Sequence, residues 1–256
     1  MIKRRIKDMQ FEVCSPCQLD CKFCATGEMR VHDSHYQLSL EQLDRFLYHT
    51  EQSGYFIEKI WMHGPGEPLL WRHLNEGLRR LRASAAIGKI EIITNGTYLK
   101  RIEETAWDCI DIIDVNIYED RTKIPLLERL QAFFGAEKIR PRAAETFKRV
   151  RDENFQPATI PGKCRCSGPM LYGDKVFLFC GPPVFGAALR ATKDLLADRS
   201  LWVEVGPNYL EGYDEKIAGT LDLCRFCWAN ENMDEVLEPH TSIGGGWQPQ
   251  NRVRAE

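Results

Sequence analysis

The sequence predicts an α/β protein: a parallel sheet with helices packed on it, followed by a smaller cysteine-rich segment. Three observations carry that expectation. Strand and helix patterns alternate with short loops up to about residue 150, the distinctive polar motifs fall where predicted strands end, and beyond Pro161-Gly162 the alternation gives way to paired cysteines. With 256 residues, 43% of them hydrophobic and 28% charged, the chain suffices for one large domain, or for one domain with a small appendage.

Ile6 to Val13 reads as a strand that delivers the chain into Cys17-Gln-Leu-Asp-Cys21-Lys-Phe-Cys24. Ser39-Leu-Glu-Gln42 has capping-box form and opens a helix through about Gln52. Ile57 to Met62 is a second strand, closed by His63-Gly-Pro-Gly-Glu-Pro68. Leu69 to Ala83 has helical spacing, with Leu74, Leu78 and Leu81 as its apolar stripe. Lys89 to Ile93 forms a third strand that ends in Thr94-Asn-Gly96, and Ile102 to Trp107 is a short helix. Asp111 to Tyr118 alternates as a fourth strand, Leu126 to Phe134 is helical, and Lys138 to Arg142 is a short fifth strand. Units repeated in this way call for an active site at the carboxyl ends of the strands. The expected division is residues 1–150 for the strand-helix part, 151–240 for the cysteine-rich part with a hairpin around Tyr172-Gly-Asp174, and 241–256 for a flexible tail whose Trp247 packs over the mouth of the sheet.

Composition excludes several classes. A net charge of −3 and a pI near 6.1 lack the basic surplus of a general phosphate-backbone binder, and Arg79, Arg80 and Arg82 read as a solvated helix face. The longest apolar runs fall far short of the roughly 18 residues of a membrane span. MIKRRIKDMQFEV is not followed by a signal-peptide apolar stretch, so a cytoplasmic location without membrane contact is expected.

Ten cysteines are many for a cytoplasmic chain, where thiols stay reduced, and most of them are therefore expected to hold metal. Cys17, Cys21 and Cys24 form a C-x3-C-x2-C group. Such a group serves either a structural zinc, with Cys14 as a fourth ligand, or a four-iron cubane held by three thiolates with one iron open. Downstream, Cys164, Cys166, Cys180, Cys224 and Cys227 offer five thiols, enough for a closed cluster or for zinc, while Cys14 and Cys109 are read as small buried residues.

A strand followed by C-x3-C-x2-C with an aromatic residue, Phe23, before the last cysteine resembles the radical S-adenosylmethionine (SAM) superfamily. Gly64-Pro-Gly-Glu-Pro68 looks like that family's glycine-glutamate-proline motif, and Asn95 and Asn116 occupy strand ends where similar enzymes place polar contacts to SAM. The later layout, with Cys166-Ser-Gly-Pro169, Cys180, Cys224 and Cys227, looks like the twitch module of the SPASM/twitch group, with Cys164 as the alternative to Cys166.

The resemblance implies a partial (β/α)6 TIM-like barrel with a small C-terminal twitch-type module. It implies a 4Fe-4S cluster on Cys17, Cys21 and Cys24, SAM held by Gly64, Gly66, Glu67, Pro68, Asn95 and Asn116, and an auxiliary 4Fe-4S cluster on Cys166, Cys180, Cys224 and Cys227. Reductive cleavage of SAM would yield a 5'-deoxyadenosyl radical that abstracts hydrogen from a small-molecule substrate, with flavodoxin or ferredoxin as electron donor and a monomer as the working unit. The compact plan is similar to that of aminocyclitol dehydrogenases of this group, which oxidise a secondary alcohol; the auxiliary cluster would accept the electron. Arg140 and Arg142 are the candidate catalytic groups, with Glu145, Arg149 and Arg151 beside them near the junction, and His32, His35 and His63 lie in or beside the expected active-site loops. A radical isomerase, epimerase or decarboxylase, a peptide-modifying enzyme and a zinc-scaffolded nucleic-acid-binding module are the alternatives.

Overall fold

The computed structural model describes residues 4–21, 24, 26, 30, 33–118, 123–143, 146–148, 168–179, 181, 184, 199, 201–211, 224–225, 237–239 and 242–244. The chain enters through β1 (Arg4–Ile6) and β2 (Met9–Glu12), and the cysteine loop contains β3 (Leu19–Cys21). Helix α1 (Leu40–Gln52) starts at the expected capping box: Gln42 N–H donates to Ser39 Oγ at 3.2 Å and Ser39 N–H to Gln42 Oε1 at 3.0 Å. Its buried residues Leu43, Phe46, Leu47 and Thr50 repeat at helical spacing and seat one face on the sheet.

β4 (Tyr55–His63) follows, and then the expected helix over 69–83 arrives in two parts, a 3-10 turn at Pro68–Leu70 and α2 (Leu74–Ala83). Trp71 breaks the run. Its indole is buried, donates N–H to Leu38 O at 2.7 Å, and lies where a side chain on Gly77 would have to stand, a Cβ there meeting the ring at 2.0 Å. β5 (Ile87–Thr94), a 3-10 turn at Leu99–Arg101, α3 (Glu104–Trp107), β6 (Ile112–Ile117), α4 (Ile124–Phe134) and β7 (Ile139–Ala143) complete the alternation. Arg79 and Arg80 form the solvated face expected of them, paired to Glu76, Glu103 and Asp44, and Arg82 reaches Asp111.

The remaining strands are β8 (Thr146–Lys148), β9 (Met170–Tyr172), β10 (Lys175–Phe177), β11 (Trp202–Glu204), β12 (Leu237–Pro239) and β13 (Ser242–Gly244). The main sheet runs β11-β10-β9-β2-β4-β5-β6-β7, with β1 also on β4. From β9 to β7 all neighbours are parallel, so six parallel strands stand side by side in an open, partial barrel. The expected hairpin around Tyr172-Gly-Asp174 is β9-β10, turned at Gly173 with φ 60°, and its first arm supplies the sixth parallel strand by pairing with β2. In the expected tail, Ser242–Gly244 pairs antiparallel with β3 inside the cysteine loop, while Trp247 lies outside the described residues. No helix among the described residues is long and apolar enough to cross a membrane.

Alternation along the strands separates two faces. Met9 and Phe11, Ile60 and Met62, Ile90 and Ile92, Ile113 and Val115 are buried on the helix side, where Phe11 meets Phe46 edge to face at 5.1 Å. Gln10 and Glu12, Lys59, Trp61 and His63, Glu91, and Asp114 and Asn116 share the opposite, concave side, as their registers require. The concave side carries the site.

Candidate active site

The cysteine loop is held by backbone contacts that begin where β2 ends. Leu38 N–H donates to Val13 O at 2.9 Å and Ser15 N–H to Tyr36 O at 3.0 Å, which extends the strand edge. Gly66 N–H donates to Cys14 O at 3.0 Å and Glu67 N–H to Pro16 O at 2.8 Å, so the Gly64–Pro68 loop lies directly on the chain entering the cysteines. Only glycine fits that contact: a Cβ on Gly66 would come 2.2 Å from Pro16 O and 2.3 Å from Ser15 O, and one on Gly64 would come 2.8 Å from Cys14 O. The neighbour these glycines admit is the protein's own backbone.

Glu67 is buried and ties its own turn to the end of β5. Its carboxylate accepts from Leu69 N–H at 3.0 Å, Thr94 Oγ1 at 2.5 Å and Asn95 N–H at 2.9 Å. Burial raises its pKa and these donors oppose the rise. Asn95 Oδ1 accepts from Thr97 N–H at 3.0 Å, shaping the turn before Gly96 with φ 76°, and from Gln18 Nε2 at 2.8 Å, which reaches across from the cysteine loop.

Cys17, Cys21 and Cys24 border one cavity of about 340 Å³ at the carboxyl ends of the strands. Gly64, Gly66, Glu67 and Pro68 form its rim, and Asn95 and Asn116 reach it from β5 and β6, so the sequence-predicted trio and SAM contacts come together. Cys14 does not border it; its buried thiol donates to Glu67 O at 3.1 Å, and burial raises its pKa. Among the described residues no three His, Cys, Asp or Glu side chains converge as a single metal ion would require. Three soft thiol donors spread around one cavity, with Cys14 turned away, fit a cubane that takes three cysteine ligands and leaves a corner for another. Burial pushes the Cys17 thiol up to about 11, opposed by the buried Arg30 and by Leu19 N–H, which lies 3.4 Å from its Sγ. A bound metal centre would supply the positive charge that keeps such thiols ionised.

Other wall residues went unmarked in the sequence. Gln10, Trp61, Ile93 and Tyr118 border the cavity, as does His63 at the end of β4. Period-two alternation, continued through Asn116 to Tyr118, is the signal that finds them. Burial and then the neighbouring thiols raise the Tyr118 pKa. Arg140 and Arg142 lie on the edge strand β7 and do not border the cavity, although Arg142 is the register partner of Asn116, which does: Arg140 donates to Glu137 O at 3.0 Å, and Arg142 pairs at 2.5 Å with the fully buried Asp114. His35 sits in the loop that Asp33 caps. Cys224 is half-buried in a short turn; His32, Glu145, Arg149, Arg151, Cys164, Cys166, Cys180 and Cys227 lie outside the described residues.

Curated relatives with significant similarity include GTP 3',8-cyclases. The chain is 27% identical over 173 residues to that of Mesorhizobium japonicum, covering 63% of this chain and 51% of the relative, and 33% identical over 103 residues to that of Xanthomonas axonopodis pv. citri, covering 38% and 30%. It thus spans about half or less of the length of these relatives. Among solved structures, BtrN in complex with AdoMet and 2-DOIA superposes with a TM-score of 0.61 at 14% identity, covering 91% of this chain and 98% of that one. BtrN in an open conformation gives 0.53 at 16% identity. At such identities the likeness is one of fold. The sequence model of the Radical SAM superfamily matches residues 12–160, more than half of the chain, including the three cysteines, the Gly64–Pro68 loop and the ends of β5 and β6, and the chain therefore belongs to the radical SAM superfamily.

Proposed function

We propose that the protein cleaves SAM reductively and uses the resulting radical to take a hydrogen atom from a small ring substrate, oxidising a secondary alcohol to a ketone. The reading rests on one observation: Cys17, Cys21 and Cys24 open onto the same cavity as the Gly64–Pro68 loop and the ends of β5 and β6. Membership in the superfamily brings a 4Fe-4S cluster and SAM. When bound on the three cysteines, the cluster supplies the electron that splits SAM. Gly64, Gly66 and Pro68 then offer a side-chain-poor rim against which the cofactor is laid, Glu67 fixes that rim to Asn95, and Arg30 offsets the negative charge of the thiolates. The sheet's concave wall excludes water from the reacting atoms.

Oxidation of an alcohol is supported by the likeness to BtrN over nearly the full length of both chains, BtrN having been solved with AdoMet and 2-DOIA. An auxiliary cluster on Cys166, Cys180, Cys224 and Cys227, in a module beginning near residue 150, would accept the leftover electron while the hydroxyl proton passes to the buffer, and flavodoxin or ferredoxin would deliver the first electron. A second reading, cyclisation of a nucleotide, is favoured by the relatives named GTP 3',8-cyclase. Anaerobic holoenzyme with SAM, dithionite and either 2-DOIA or GTP separates the two. The proposed reading expects about eight irons per chain, and a ketone formed together with 5'-deoxyadenosine from 2-DOIA; a cyclised product from GTP replaces it.

A further inference from the structure

The concave wall carries three buried acids, and they are not equivalent. Glu91 has Lys59 at 3.5 Å and Asp114 has Arg142 at 2.5 Å. Glu12 is fully buried, neither of its carboxyl oxygens makes a geometrically sound hydrogen bond among the described residues, and its close polar neighbour is His63, with Nδ1 3.3 Å from Oε1. The parallel register of β2 and β4 puts the two residues directly opposite each other, on the side shared by Gln10 and Trp61, and His63 borders the cavity.

Resting on the alcohol-oxidation reading, we propose that His63 is the group that holds the substrate oxygen on the carbon that loses hydrogen, and that Glu12 is the positioning residue that fixes its imidazole. Burial disfavours charge on both partners, lifting the carboxyl and pulling the imidazole down to about 4. The pair then carries one proton between its members and no net charge. With Glu12 keeping its carboxyl proton and donating it toward Nδ1, the one hydrogen of the neutral His63 stands on Nε2, a neutral donor. A neutral donor in a dry wall suits a hydroxyl oxygen that becomes a carbonyl, and gives no charge for an anionic group to seek. The substrate class is therefore a small hydroxyl-bearing ring read through an uncharged oxygen.

The test uses nitrogen-15 histidine spectra of the oxidised holoenzyme with SAM, the His63 signal being assigned by its loss in His63→Gln. Expected are a neutral His63 with hydrogen on Nε2 from pH 5 to 8, loss of that preference in Glu12→Leu, and a shift of the Nε2 signal on adding at least one of 2-DOIA, myo-inositol or glucosamine. His63→Gln, whose amide can stand in for Nε2, should keep binding of the responding ring compound within about threefold, and His63→Leu should lose about tenfold or more, as removing one buried hydrogen bond does. Iron content and melting temperature of both variants identify a folding defect, and the wild-type spectra decide the matter if one occurs. A His63 that titrates near 6.5, a signal indifferent to all three compounds, or a His63→Leu that binds like wild type overturns the proposal. Formation of 5'-deoxyadenosine by the same wild-type preparation tests the parent reading separately: cleavage with an indifferent His63 sinks this inference alone.

Discussion

The two faces of strands β2, β4, β5 and β6 are made from alternate residues of the same short segments, yet they obey different rules. On the helix side Phe11, Ile60, Met62, Ile92 and Val115 are fully buried among other apolar groups. On the concave side the same strands bury Gln10, Glu12, Glu91 and Asp114 and leave the polar atoms of Glu12 and Asp114 poorly satisfied. Buried polar groups without good partners cost stability, so one face contributes the folding free energy that the other consumes in forming a site. Substitutions on the first should act on stability, and those on the second on ligands.

Phe11→Ala makes the largest expected break. It removes the ring that packs on Phe46 and should cost about 3–5 kcal/mol in a denaturant titration. A loss below about 1 kcal/mol would show that the helix-side face is not the main source of stability.

Gly66→Val comes next. Its branched side chain would collide with backbone rather than with a movable side chain, at Pro16 and Ser15, so the loop must lift away from the cysteines. SAM affinity, measured by equilibrium dialysis of the reconstituted protein, should fall about 100-fold, equivalent to nearly 3 kcal/mol of displaced loop. Unchanged affinity would separate the loop from SAM.

The pH dependence of Glu12 and His63 gives a smaller effect with a definite sign. Glu12 has a raised pKa, so its contribution is present below the ordinary 4.5 and is lost as pH rises. His63 has a lowered pKa, so its contribution is present above the ordinary 6.5 and is lost as pH falls toward about 4. Between 4.5 and 6.5 the two slopes therefore oppose each other, each at most about 1.4 kcal/mol per pH unit. Burial keeps the neighbouring Tyr36, Tyr172 and Cys14 protonated throughout that range. Melting temperatures at pH 5 and pH 8 should show Glu12→Gln gaining on the wild type as pH rises; a constant difference would contradict the buried-acid account.

Arg80→Ala is the smallest. Its exposed bridges to Asp44 and Glu76 should be worth under about 1 kcal/mol, with no change in SAM cleavage. A larger loss would mean that the outer face does more than remain solvated.

Local patterns carried much of the fold into the sequence. Apolar alternation found β4, β5, β6 and β7 to within a few residues, and Ser39 with Gln42 marked the start of α1 because a capping box is a contact within four residues. The pairing of β9 with β2 and of β13 with β3 left no such mark, since each joins strands of only three or four residues far apart in the chain. Trp71 interrupts a run whose spacing is helical because its indole finds Leu38 O and the space over Gly77, both tertiary contacts. Within the site, the cysteine spacing and the glycines were legible, whereas Arg140 and Arg142 carry no spacing pattern and stand on an edge strand, Arg142 facing Asp114. Glu12 and His63 were readable only by carrying the alternation of β2 and β4 to their last residues and asking which side they face.

The central claim is that the cavity bordered by Cys17, Cys21 and Cys24 is where SAM is split. The most direct measurement is 5'-deoxyadenosine formed under anaerobic reduction by wild type and by the variant with all three cysteines changed to alanine. The account predicts steady formation by the wild type and none by the variant; cleavage that survives the triple substitution would place the chemistry elsewhere.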